Sequence, residues 1–178
     1  MDSLLPADLV DLARAVIDSN RAAGRRIAVA ESCTGGLVSA ALTEIAGCSD
    51  VFEAGYVTYS DAAKLASLNV CSDVVETFGA VSVATAWAMA RGALLMSDAD
   101  IAVAITGIAG PGGGSPAKPV GTVVFARAER GEDPSQVVAD MKLFDPEGGR
   151  AGIRLEAALC ALELLMPQAG TETTLELP

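Results

Sequence analysis

AVAESCTGG, residues 28–36, runs from an apolar, strand-like stretch directly into a serine, a cysteine, a threonine and two glycines. Behind it, LVSAALTEIAG places Leu37, Val38, Ala41, Leu42 and Ile45 at helical spacing and stops at Gly47. In front of it, RRIAVAE supplies the β-type run, and residues 4–23 set Leu5, Leu9, Leu12, Ala13, Val16 and Ile17 on one face of an amphipathic helix. Strand, glycine turn, helix is the unit from which parallel sheets are assembled.

The unit recurs. FEAGYVTYS is rich in aromatic and β-branched residues and reads as a second strand, after which Ser60 is placed to N-cap DAAKLASL. Ser82 begins an alanine-rich helix through about Met96. DIAVAIT is the next buried strand, ending in the glycine-rich run 107–114. VGTVVFARAE and QVVADMKLF predict a hairpin across RGEDPS, and Asp145-Pro146 announces a last helix to about Met166. The pattern predicts an α/β fold, a three-layer α/β/α sandwich with a mixed, mostly parallel sheet. One domain is expected over residues 1–166. The tail 167–178, PQAGTETTLELP, lacks a periodic apolar face and is expected to be loose.

Composition removes several function classes. With 23 acidic against 12 basic residues and a net charge of -11, the chain has no basic stripe for nucleic acid or an anionic membrane. An anionic ligand would need a few placed arginines. The longest charge-free stretches are broken by Gly and Pro, so no membrane span is expected. The four cysteines show no paired spacing, and the chain starts without a secretory pattern, which fits reduced thiols in the cytoplasm. There is no histidine, which removes Ser-His and Cys-His nucleophile pairs and the commonest zinc ligand together.

What chemistry remains is concentrated at strand ends, where ligands bind in open α/β sheets. Ser32 or Thr34 can be read as a helix N-cap, but two hydroxyls and a thiol crowd a turn that needs one cap. Gly35 and Gly36 would let a substrate approach the backbone N–H groups of Cys33 to Gly36. Cys33, without a histidine, reads as a small buried hydrophobe. Lys64 falls near the first turn of the helix capped by Ser60, where the dipole opposes an ammonium; a neutral lysine can serve as a base. Tyr59, beside it, is placed to relay a proton. The loop GIAGPGGGSPAKPVG lacks the Gly-Lys-Ser/Thr of a P-loop, so no nucleoside triphosphate chemistry is expected. Arg150 and Arg154 share a helix face at the wrong end for the dipole, which either Glu147 or Glu156 relieves or a bound phosphate does.

AESCTGG, GYVTYSDAAK, GAVS, ITGIAGPGGG and KPVGTV, in this order, resemble the CinA C-terminal domain family, the nicotinamide-nucleotide amidohydrolases. The resemblance covers roughly residues 5–166. It implies hydrolysis of the carboxamide of nicotinamide mononucleotide to nicotinate mononucleotide and ammonia, in pyridine nucleotide salvage, with neither metal nor other cofactor. Carried over by motif, Ser32 is the nucleophile, with Tyr59 and Lys64 as its activating partners. Cys33, Thr34, Gly35 and Gly36 would hold the substrate. So would Thr106, Gly107 and Gly110 of the glycine loop Thr106–Gly114, and the late pair Arg150 and Arg154. Where the family often has a polar or acidic residue before that first arginine, this chain has Gly149. Some members carry a larger N-terminal domain associated with pyrophosphatase activity; with the first strand so near Met1, that activity is expected to be absent. The expected partner is a small molecule, neither nucleic acid nor membrane, with self-association left open. The competing readings are a non-catalytic nucleotide- or partner-binding module of this fold, and a hydrolase of another small amide.

Overall fold

The computed structural model describes residues 3–133 and 137–167. Helix α1 (Ala7–Ala22) precedes β1 (Ile27–Glu31) and α2 (Leu37–Thr43). After β2 (Phe52–Val57) come three helices in succession, α3 (Asp61–Leu68), α4 (Ser72–Phe78) and α5 (Val83–Leu95). Strands β3 (Ile101–Gly107), β4 (Thr122–Glu129) and β5 (Val138–Leu143) lead to α6 (Gly149–Leu165).

The sheet order is β2-β1-β3-β4-β5. Strands β2, β1 and β3 are parallel, whereas β4 runs antiparallel to both β3 and β5, so only β4 is reversed. The α/β/α sandwich with a mixed, mostly parallel sheet is therefore the architecture. Most of the RGEDPS turn leads into, and residues 168–178 of the tail lie wholly within, the residues outside the description.

The inner strands read as uniform apolar runs, yet their two faces differ in size. Ile27, Val29, Ile101, Val103 and Ile105 point into one core with α1, α2 and α6. Ala28, Ala30, Ala102 and Ala104 point into the other, where α5 brings Ala86, Met89, Ala90 and Ala93. Small residues on both surfaces let an alanine-rich helix lie close on the sheet at full packing density. On its outer side α5 meets α3 equally closely: a β-carbon on Gly92 would collide with the Leu68 carbonyl.

Both predicted serine caps form. Ser60 Oγ accepts from Ala63 N at 3.1 Å and Ser82 Oγ from Thr85 N at 3.1 Å. Asn69 closes α3 in the left-handed region at φ 51°, which asparagine tolerates better than most residues. The last helix starts later than Asp145-Pro146 suggests. Asp145 caps a short 3-10 turn, Pro146–Gly148, and α6 proper begins at Gly149. Helix α4 is absent from the sequence reading. No described helix is long and apolar enough to cross a membrane.

Candidate active site

The turn after β1 is organised by a residue that sequence reasoning passed over. Glu31, the last residue of β1, is fully buried. Its Oε2 accepts from the N–H groups of Gly36 (3.0 Å) and Val38 (3.2 Å), and its Oε1 from Ser39 N (2.8 Å) and Ser39 Oγ (2.7 Å). Four donors at the positive end of α2 make a buried carboxylate tolerable there. The amides at the start of α2 are thus satisfied by Glu31, and neither Ser32 nor Thr34 acts as its side-chain cap. Gly36 makes the arrangement possible: it stands at φ 92°, a conformation that costs glycine little. The signal in sequence was a carboxylate at the junction of a buried strand and a helix start. Glu31→Gln replaces half of the acceptor capacity with a donor facing donors. It should lower unfolding stability by about 2–3 kcal/mol, measured by urea denaturation.

With the helix capped from elsewhere, Ser32 is free. Its N–H is anchored to Ile105 O at 2.9 Å, next to the end of β3, and its Oγ lies 3.2 Å from Lys64 Nζ. Lys64 is 1% exposed, among the largest fully buried side chains of the protein. Its Nζ also donates to Thr58 O at 3.1 Å and Tyr59 O at 3.5 Å, and Asp61 Oδ1 stands 3.8 Å away. Burial pushes the Lys64 ammonium below its ordinary 10.5, and the neighbouring Asp61 carboxylate opposes that shift.

The Tyr59 hydroxyl faces Arg150 rather than Lys64. Arg150 donates from one terminal nitrogen to Tyr59 Oη at 2.7 Å and from the other to Gly110 O at 2.8 Å, linking the end of β2 to the glycine loop. Arg154 donates to Thr34 O from Nε (3.3 Å) and Nη2 (2.7 Å). Among the described residues, the ion pairs within 4 Å involve other cations, so Glu147 and Glu156 do not neutralise this pair. Thr106 Oγ1 donates to Ala80 O at 2.8 Å, and Lys118 Nζ to Val81 O at 2.7 Å, which fastens the glycine loop to the segment before α5.

These groups surround an open cleft of about 250 Å³. Ser32, Cys33, Tyr59, Lys64, Thr106, Gly107, Gly110 and Arg150 line it. Thr34, Gly35, Gly36 and Arg154 are not among its lining residues, and Asp61 joins the lining without having been foreseen. The Cys33 thiol is 4% exposed and pushed up to about 11, chiefly by burial, so it is protonated at neutral pH. Of the amides in the turn, Gly35 N–H donates to Ser32 O at 3.1 Å and Gly36 N–H to Glu31. Those of Cys33 and Thr34 face the Cys33 sulfur.

A sequence model of the CinA C-terminal domain matches residues 9–169. A protein of Pseudomonas putida named nicotinamide-nucleotide amidohydrolase PncC is 47% identical over 147 residues, 83% of this chain and 88% of that protein. A CinA-like protein of Akkermansia muciniphila is 57% identical over 106 residues, 60% of this chain; the chain spans only 26% of that longer relative. Among solved structures, the competence/damage inducible protein CihA of Agrobacterium tumefaciens superposes with a TM-score of 0.86 at 48% identity. That match covers 92% of this chain and 96% of the other.

Proposed function

This chain belongs to the CinA C-terminal domain family, and from that premise we propose that it hydrolyses the carboxamide of nicotinamide mononucleotide by way of a Ser32 acyl-enzyme. The name of the Pseudomonas putida relative supports the substrate. One observation carries the mechanism: a buried lysine nitrogen 3.2 Å from the serine hydroxyl, with two main-chain carbonyls at its other side.

When Lys64 is neutral, its two N–H bonds point to Thr58 O and Tyr59 O, which leaves the lone pair directed at Ser32 Oγ. Ser32 attacks the amide carbon as its proton passes to Lys64. The tetrahedral intermediate then collapses, the C–N bond breaks, and the Lys64 ammonium returns the proton to the leaving nitrogen, releasing ammonia. Water, deprotonated by the now neutral lysine, attacks the acyl carbon; nicotinate mononucleotide leaves and Ser32 recovers its proton. The N–H groups of Cys33 and Thr34 serve the oxyanion. They act on the Cys33 sulfur, a weak acceptor that a charged oxygen displaces. Tyr59 accepts from Arg150, so its own proton is available to the cleft as the second activating group. The glycine loop lines the same cleft at Thr106, Gly107 and Gly110.

Arg150 and Arg154 bind the substrate phosphate. Their present acceptors are neutral oxygens, which leaves both charges uncompensated in a chain of net charge -11. Arg150→Ala should raise KM for the mononucleotide about 10- to 100-fold and barely change activity on the phosphate-free riboside. Arg154→Ala should follow with a smaller ratio, because Thr34 O already holds two of its donors. Equal loss on both substrates would make the arginines structural. The reaction itself is tested by incubating purified protein with nicotinamide mononucleotide and following ammonia and nicotinate mononucleotide. Absence of both products overturns the assignment.

A further inference from the structure

Resting on the amidohydrolase reading, we propose that Asp61 is a specificity-determining residue by which the cleft selects a positively charged pyridinium ring over a neutral one. Asp61 is the sole carboxylate among the residues lining the cleft, whose other ionisable walls include the cations Lys64 and Arg150. It occupies the first position of α3, where an acidic residue complements the helix dipole. That duty can be met from any point on the helix circumference, whereas this carboxylate is turned to the cleft, 3.8 Å from Lys64 Nζ.

The same nitrogen is 3.2 Å from Ser32 Oγ, so nucleophile and carboxylate share one neighbour. A carboxamide carbon in contact with Ser32 carries its ring along on a single bond, and in an N-glycosylated pyridine that ring holds a full positive charge. The ring therefore meets the field of Asp61 at short range, where direct attraction acts even though the carboxylate is partly exposed to solvent. In the working state Lys64 is neutral, and Asp61 has lost the ammonium that otherwise accompanies it. A cationic ring supplies the missing opposite charge, and an uncharged ring does not. Selection arises as much from what an uncharged ring leaves uncompensated as from what the charged ring gains.

The test compares nicotinamide mononucleotide with its 1,4-dihydropyridine form, which keeps phosphate, ribose and carboxamide and removes the ring charge together with its aromaticity; the effect of ring shape is common to both proteins and cancels when their preferences are compared. Both are titrated by calorimetry into the wild-type protein and into Asp61→Asn, which preserves size and position, and ammonia release is recorded in parallel. The wild-type protein should favour the oxidised form, and Asp61→Asn should reduce that preference about tenfold while its melting temperature stays close to wild type. An unchanged ratio, whether affinities fall together or not at all, overturns the proposal, because a helix-dipole role weakens both forms alike. Failure of the wild-type protein to bind either form overturns it as well. If both forms bind and no ammonia appears, the hydrolase reading has failed while the affinity ratio still decides the role of Asp61.

Discussion

Ser32→Ala is expected to lose at least about 10⁴-fold in kcat while binding nicotinamide mononucleotide within about tenfold of wild-type affinity. The asymmetry follows from the geometry. The substitution removes the attacking oxygen and little surface, and it leaves Lys64 Nζ with acceptors at Thr58 O and Tyr59 O, so no buried ammonium is orphaned. Because Glu31 caps α2, the loss of the serine hydroxyl does not loosen the helix start either. Single-turnover kinetics with binding calorimetry check both halves. A peptide carrying a nicotinoyl-nucleotide ester at Ser32 after rapid quenching of wild-type protein gives the intermediate directly. Full activity in the alanine variant removes Ser32 from the mechanism.

Lys64→Arg is expected to be nearly as damaging as Lys64→Ala, each by about 10³-fold or more, because a guanidinium stays protonated and cannot take the serine proton. A purely electrostatic role predicts the opposite ranking, with the arginine variant highly active. The pH dependence has a definite sign. Burial lowers the folded-state pKa of Lys64 below 10.5, so kcat/KM rises with pH through that lowered value as the neutral base appears. Stability rises with pH in the same sense. Between the lowered value and 10.5 the unfolded chain binds the proton that the folded chain has released, so unfolding becomes harder as pH increases across that window. Replacing Lys64 with Met should remove both the activity and this slope, which a pH series of urea melts measures.

The signals that were legible in the sequence were those carried by local chemistry. Ser60 and Ser82 stand directly before apolar-periodic segments, and both form caps as read. Gly35 and Gly36 marked the turn between strand and helix, and both stand there at positive φ. The juxtaposition of Ser32 with Lys64 was expected from the family resemblance, and it arises because both follow parallel strands that neighbour each other in the sheet. Other features depended on tertiary context. Helix α4 has seven residues and buries only Val75, too little periodicity to separate from a loop. Glu31 reads as a polar strand end until the position of α2 is known, because its four donors come from the next element. The division of the inner strands into branched and alanine faces becomes visible only when helices are assigned to sides. The Tyr59 hydroxyl, finally, is held by an arginine ninety-one positions away, a pairing that no spacing announces.

The close crossing at Gly92 bears on how this protein can be engineered. Glycine inside a helix is the customary target for thermostabilisation, since alanine there ordinarily gains up to about 1 kcal/mol in helix propensity. At Gly92 the added methyl group meets the backbone of Leu68, one turn beyond Lys64 on the same helix. That backbone cannot yield without carrying α3 outward, and a shift of a few tenths of an ångström is enough to separate a proton donor from its acceptor. A consensus-guided or propensity-guided redesign that improves α5 at this position would detune the nucleophile from the opposite side of the fold, with no residue of the cleft altered.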